Sequence, residues 1–359
     1  MIVQRLITNK NDIANNKIEE LQLPQIGAGE VLVKTGNFAL TANNISYAIS
    51  GNQLGYWQFY PINAEWGIVP VWGFAEIVAS NCVETPVGTR FWGLLPMASH
   101  FIMKPIKVKK HGFVDGAEHR MALHGVYNRY QITNDDSQQL AAMADARSLL
   151  FPLFFTGYVI ADYIDDNGLF GASQVIIGSA SSKTGFSAAY YVKQIARKSM
   201  RVIGLTSKRN TLFTKSLGFY DEVIEYDNFA ELRAEIPTIF VDMSGDGALL
   251  AGLHNHFKEN IKASIMVGAT HHDAPRNQSQ LPGARPAFFF APNQIQKRET
   301  DWGAGEFSRR AQLANIELVE KIAGVLEIIH SEGAEDVRNS FNQVLQGATP
   351  SNIGLILSF

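Results

Sequence analysis

The sequence predicts an α/β protein in which a doubly wound parallel sheet is inserted into a β-rich domain. Three observations carry this. Strand-like apolar runs alternate with helical patterns from residue 148 to 300, which implies a parallel sheet covered by helices. Residues 1–140 hold short alternating runs separated by turn residues, which implies a compact β-barrel or sandwich. The chain then ends on short β-like runs, as when one domain is inserted in another. The expected boundaries are 1–147 plus 325–359 for the β-rich domain and 148–324 for the sheet domain.

In chain order, EVLVKTGNFAL (30–40) alternates with a period of two, and VPVWGFAEIVAS (69–80) and GTRFWGLLPMASHFIMKP (88–105) come next as further β runs. FFTGYVIADYI (154–164) is helical. QVIIGS (174–179) precedes the helix TGFSAAYYVKQIARK (184–198), and RVIGLT (201–206) precedes KRNTLFTKSLG (208–218). DEVIEY (221–226), TIFVDM (238–243), ASIMVG (263–268) and AFFFA (287–291) complete the strands. Two helices, Phe307 to Val325 and 333–347, frame LEIIHS (326–331), and NIGLILSF closes the chain.

Composition bounds the function. The chain has 359 residues, 46% apolar and 18% charged, which excludes disorder as the main state. A net charge of −3 does not suit a surface built to grip nucleic acid. One cysteine, Cys82, excludes an internal disulfide and a four-thiolate zinc site. The longest apolar stretch, 149–160, contains Pro152 and is shorter than the roughly 20 residues of a membrane span. A soluble cytoplasmic protein is expected.

The loop after the first strand of a doubly wound sheet is where nucleotides bind. Here it reads GSASSKTG (178–185). The helix behind it offers backbone N–H groups and the positive end of its dipole. Ser179, Ala180, Ser181 and Ser182 are small enough for a pyrophosphate to approach. Ser181, Ser182 and Thr184 add hydroxyls, and Lys183 adds a charge. The dinucleotide fingerprint wants three glycines, and only Gly178 and Gly185 are present. A plain helix cap with a surface lysine is the bland alternative. A damaged Walker A loop, with TIFVD (238–242) as Walker B, is another, but Ser182 stands where that loop needs glycine.

The second strand bears on the cofactor. An NAD site places a carboxylate about 20 residues beyond the loop. The run 200–213 has none; it offers Thr206, Ser207, Lys208, Arg209 and Asn210, which suit a 2′-phosphate. Between Asp166 and Asp221 there is no acidic residue, and eight are basic. Solvated helix faces explain several of these, and RNA contact is a competing reading.

These landmarks, in this order, resemble the medium-chain dehydrogenase/reductase superfamily over nearly the whole chain. EVLVKTGNFALTANNISYAISG (30–51) resembles the opening of its chaperonin-10-like domain, and 204–227 resembles its NADP-type second strand and the segment after it. VYNRY (126–130), GSASSKTG, GLTS (204–207) and VDMSG (241–245) together resemble a branch catalogued as a domain of unknown function. The resemblance implies a Rossmann domain inserted in a chaperonin-10-like β-barrel. It puts Thr156, Gly268 and Thr270 near a nicotinamide, and Tyr226 among the cofactor-binding residues. Asp242, at the end of the fourth strand, either lines the cofactor cleft or caps a helix. Trp72 and Gly73 replace the His–Glu pair of zinc members, and Thr41 to Asn44 lack the ligand cysteine. The zinc-free, quinone-oxidoreductase-like branch is the nearer one.

An NADPH-dependent, zinc-independent oxidoreductase acting on a small carbonyl, enone or quinone is therefore expected. A non-catalytic NADPH sensor or interaction protein is the alternative. Hydride chemistry belongs to the cofactor, but a proton and a group to polarise oxygen must come from the protein. Asn44, Tyr47 and His271, beside His272, are the candidates; Tyr47 serves if its pKa is lowered. The competing reading has Asn43 and Asn44 capping a short helix while Tyr47 packs. Tyr56, Trp57, Phe59, Tyr60, Trp66 and Trp72 form either a pocket wall or a core. No metal site is expected from His254, His256, His271 and His272. AFFFA (287–291) implies an exposed edge strand and a homodimer through it.

Overall fold

The structure, a computed structural model, describes residues 1–195, 200–267 and 281–359. The chain forms two compact units, residues 1–149 with 326–359, and residues 150–325.

The first unit is built on a nine-stranded sheet among the described residues. Its centre is Val31–Leu40, antiparallel to Pro70–Ser80, which pairs in turn with Arg90–Pro96. Period-two burial sets the register: Val31, Val33 and Thr35 are buried, and Lys34 is exposed. The last strand, Ile353–Ser358, returns to the other side of Val31–Leu40, with Leu355 opposite Leu40 and Leu357 opposite Phe38. Glu327–Glu332 adds beside it in parallel. The aromatic run belongs to the core: Tyr56, Trp57 and Phe59 are buried in it, and Tyr60, Trp66 and Trp72 pack half-buried against it.

A buried cation organises the far end of this unit. Arg120 is 1% exposed. Its Nε donates to Phe59 O (3.1 Å), and its Nη1 to Asn128 Oδ1 (3.1 Å) and to Tyr130 Oη. Asp115, 3.3 Å away, neutralises it. The Tyr60 ring lies 4.3 Å from the guanidinium carbon. Asp115 Oδ1 in turn accepts the N–H groups of Lys104 and Ala117.

The second unit holds a six-stranded parallel sheet among its described residues. Its strands are Gln174–Ile177, Arg201–Thr206, Glu222–Glu225, Thr238–Asp242, Ile261–Val267 and Pro286–Phe289, numbered first to sixth below. The spatial order is 3-2-1-4-5-6. The order reverses between the first and fourth strands, paired from Gln174 opposite Thr238 to Ile177 opposite Val241. These strands are continuous apolar runs because both faces are covered; Val175, Ile176, Ile177, Ile239, Phe240 and Val241 are all fully buried. The helix Gly247–Phe257 packs Leu249, Leu250, Leu253 and Phe257 onto Ile176, Ile203 and Phe240.

The sixth strand ends earlier than the sequence suggests. It spans Pro286–Phe289, Phe290 caps the next helix, and Ala291 already belongs to that helix. Pro292 sets this limit, because proline is favoured in a first helical turn and cannot donate to a ladder. The strand is the sheet edge, and its Phe288 is 44% exposed.

Replacing Arg120 with Met leaves Asp115 buried without its cation. The first unit should lose about 3 kcal/mol, read as a lower urea midpoint. An unchanged midpoint would show that the ion pair does not hold this end of the barrel.

Candidate functional site

The first strand ends at Ile177 and the next helix starts at Lys183. Between them Gly178 N–H donates to Val241 O (2.9 Å), and Ala180 N–H to Leu205 O (3.0 Å). The loop is thus tied to the fourth and second strands, over the carboxyl ends where the strand order reverses. Gly185 and Gly204 make the close approach possible. A Cβ on Gly185 would stand 2.6 Å from Ser179 O, and one on Gly204 2.8 Å from Ala180 Cβ. Ser182 caps the helix, its Oγ accepting Gly185 N–H (3.0 Å). Two tyrosines close over the loop. Tyr220 Oη donates to Ala180 O (2.8 Å), and Tyr226 Oη accepts Ser179 N–H (3.0 Å). Lys183 is half-buried, and burial lowers its ammonium to about 8.

The second strand ends in Thr206, which is 1% exposed. Thr206 Oγ1 and Ser207 Oγ are buried and have no hydrogen-bond partner among the described residues. Lys208 and Arg209 come next, both exposed, then half-buried Asn210, in one 3₁₀ turn. Unsatisfied buried hydroxyls need an account. Two of them beside two exposed cations make a donor set suited to an anion. Glu225 stands opposite Thr206 in the register, and its carboxylate accepts from Thr211 Oγ1 (3.5 Å).

Other candidates have local duties. Asp242 is 2% exposed; its Oδ1 accepts from Ser244 N–H (2.9 Å), Ser244 Oγ (2.7 Å) and Gly245 N–H (3.1 Å). It folds the turn after the fourth strand, while Asp246 caps the following helix. Thr156, half-buried in the helix Phe151–Asp166, donates its Oγ1 to Pro152 O (3.0 Å). His254 is fully buried, with Nδ1 2.8 Å from Pro282 O and Nε2 2.9 Å from Ser264 Oγ. Burial lowers its pKa. His256 Nε2 is 2.7 Å from Leu232 O. Gly268, Thr270, His271 and His272 lie outside the described residues. Among those described, no three His, Cys, Asp or Glu side chains gather as a metal site would require.

In the first unit, Asn44 and Tyr47 lie on the helix Ala42–Ile49. Asn44 is buried, accepts Thr41 N–H at Oδ1 (2.8 Å) and donates Nδ2 to Pro70 O (2.9 Å), in a capping box. Tyr47 is buried, stacks on Tyr56 at 4.2 Å between centroids, and accepts Trp72 Nε1–H (3.2 Å). Burial, with Tyr127 adding to it, holds the Tyr47 phenol well above its ordinary pKa. The lowered pKa on which its proton-donor role depends is not found.

The family described as a protein of unknown function, DUF2855, matches residues 38–350. The chain belongs to this family. No curated protein matches it. Among solved structures, CurA from Vibrio vulnificus is similar at a TM-score of 0.63 and 14% identity, over 100% of this chain and 98% of that one. Its complex with NADPH gives the same score and identity over 99% and 98%. The quinone oxidoreductase from Coxiella burnetii is similar at 0.57 and 11%, over 100% of both chains. At these identities the likeness is one of fold. It is the fold of the medium-chain dehydrogenase/reductases, with a chaperonin-10-like unit and a Rossmann sheet.

In this DUF2855 chain three residues of the string VYNRY are held in structural bonds. Tyr127 Oη accepts from Tyr56 Oη (2.9 Å), Asn128 Nδ2 donates to Asp115 O (2.8 Å), and Tyr130 meets Arg120. Tyr220, Arg120 and Glu225 escape a reading of the sequence. Each acts on a partner brought close only by folding, and nothing local marks them.

The depressed pKa of Lys183 gives a pH test. Its folded pKa near 8 lies below the unfolded value near 10.5. The unfolded chain therefore binds more protons between those limits. Stability of the ligand-free protein should be flat in this respect below pH 8 and rise from about pH 8 to about 10.5. Lys183→Met should raise stability at pH 7 and remove that rise, in urea titrations across pH. An identical slope in the variant would contradict burial as the cause.

Proposed function

We propose that this chain is an NADP(H)-dependent oxidoreductase that works without zinc on a small carbonyl, enone or quinone. The observation that carries this is the end of the second strand. Thr206 and Ser207 have two buried hydroxyls without a partner among the described residues, Lys208 and Arg209 are exposed beside them, and no carboxylate ends the strand. An NAD site has an acid at this place. The fold is a further support: it is shared with a protein solved in complex with NADPH.

The residues fit such a group in two places. Ser182, Lys183 and Thr184, at the start of a 13-residue helix, would hold a pyrophosphate. Thr206, Ser207, Lys208, Arg209 and Asn210 would hold a 2′-phosphate. When bound, the nicotinamide supplies hydride transfer. Thr41 to Asn44, and Trp72 with Gly73, stand where zinc members carry ligands by resemblance, which supports a metal-free reading. The edge strand Pro286–Phe289, with Phe288 exposed, supports a homodimer formed by strand pairing.

A second reading has an observation of its own. Asn44 and Tyr47 are both engaged in structural bonds, and the Tyr47 phenol is held a poor acid. A cofactor-binding protein without turnover, a sensor or interaction module, would have this character.

Replacing Lys208 and Arg209 with Ala should weaken NADPH by about 1–3 kcal/mol per lost phosphate hydrogen bond and leave NADH nearly unchanged. Calorimetry on both nucleotides measures this, and equal losses would overturn the 2′-phosphate assignment. Phe288→Lys should convert a dimer to a monomer in sedimentation velocity. A wild-type monomer would remove the edge-strand interface.

A further inference from the structure

The loop 178–182 makes a tight turn without the usual glycines, and Ser179 sits at φ +50°, in the left-handed region. A serine stays there only when its surroundings hold it. The holding groups come from the two ends of the third strand. Tyr226, the first residue after that strand, accepts Ser179 N–H at 3.0 Å and lies 3.3 Å from Ser179 Oγ. Tyr220, two residues ahead of the strand, donates to Ala180 O. Within the loop, Ser182 N–H closes on Ser179 O (2.8 Å). Gly185 lets the Ser179 carbonyl come this close, since a Cβ there would stand 2.6 Å from Ser179 O.

We propose that Tyr226 is a positioning residue for the nucleotide loop. Its hydroxyl does for Ser179 what a glycine would do by having no Cβ, and sets the turn before any ligand arrives. Preorganisation of this kind raises affinity by removing the cost of ordering the loop on binding. The register adds a second consequence. Thr206 pairs with Glu225, and Tyr226 is the residue that follows that pair, so one residue links the loop to the strand end that carries the Thr206 hydroxyl. A phenol that accepts from Ser179 N–H keeps its own proton to donate. The binding part of this inference rests on the NADP(H) reading; the holding of the loop does not.

Tyr226→Phe keeps the ring and removes the oxygen. In the ligand-free protein, amide exchange within 178–182 should rise about tenfold, the order of one hydrogen bond, while the first strand stays protected. NADP⁺ affinity, by calorimetry, should fall by a similar factor. Ser179→Gly in the Tyr226→Phe background should return most of that affinity, because glycine adopts the turn unaided. Should Tyr226→Phe alone fail to fold, the double variant is expected to fold and bind. Unchanged exchange in Tyr226→Phe, or a glycine that rescues nothing, overturns the proposal. Faster exchange in a protein whose wild type binds no nucleotide upholds the loop role and sinks the NADP(H) reading instead.

Discussion

The carboxyl end of the parallel sheet depends on one tight turn, from Ile177 to Lys183. It must pass close over Gly204 and under the first turn of the helix at Gly185, where a single Cβ would collide. Its backbone is tied to the second and fourth strands by Ala180 and Gly178, and to Tyr226 by Ser179. Those N–H groups are therefore already used. Under the function proposed above, an anion would be held by the side chains of the next residues and by the end of the second strand. Small hydroxyl residues and a lysine in the loop fit that reading. Burial depresses the Lys183 pKa at the start of the helix that follows the turn.

The β unit has a different logic. Its polar side chains are mostly spent on structure. Asn44 caps a helix and ties it to Pro70, Tyr47 is bound by Trp72, and the VYNRY segment wraps the Arg120–Asp115 pair. A buried arginine is tolerable only with its partners in place. Asn44 and Tyr47, two candidates for the chemistry, are engaged in structural bonds of their own.

Much of the fold is legible in the sequence because both units obey simple periods. Continuous apolar runs such as QVIIG and TIFVD mark strands covered on both faces, and alternation in VLVKT marks a strand with one exposed face. The edge strand is less legible: AFFFA reads as strand throughout, but Pro292 claims Phe290 and Ala291 for the helix. Asn44 shows a different limit. One amide serves equally as cap or as substrate contact, and only the Pro70 carbonyl at 2.9 Å shows what it holds. The Tyr226–Ser179 bond spans 47 residues, and the unpartnered state of Thr206 and Ser207 is a property of packing. Neither has any trace in local pattern.

The central claim is that the end of the second strand is built for a phosphate on the ribose. Calorimetric titration of the wild-type chain with NADP⁺ and NAD⁺, and with ATP–Mg²⁺ alongside, tests it most directly. NADP⁺ should bind at least about tenfold tighter than NAD⁺, from charge-assisted bonds to the extra phosphate. NAD⁺ binding as tightly as NADP⁺, or ATP–Mg²⁺ binding in preference to both, would contradict the claim.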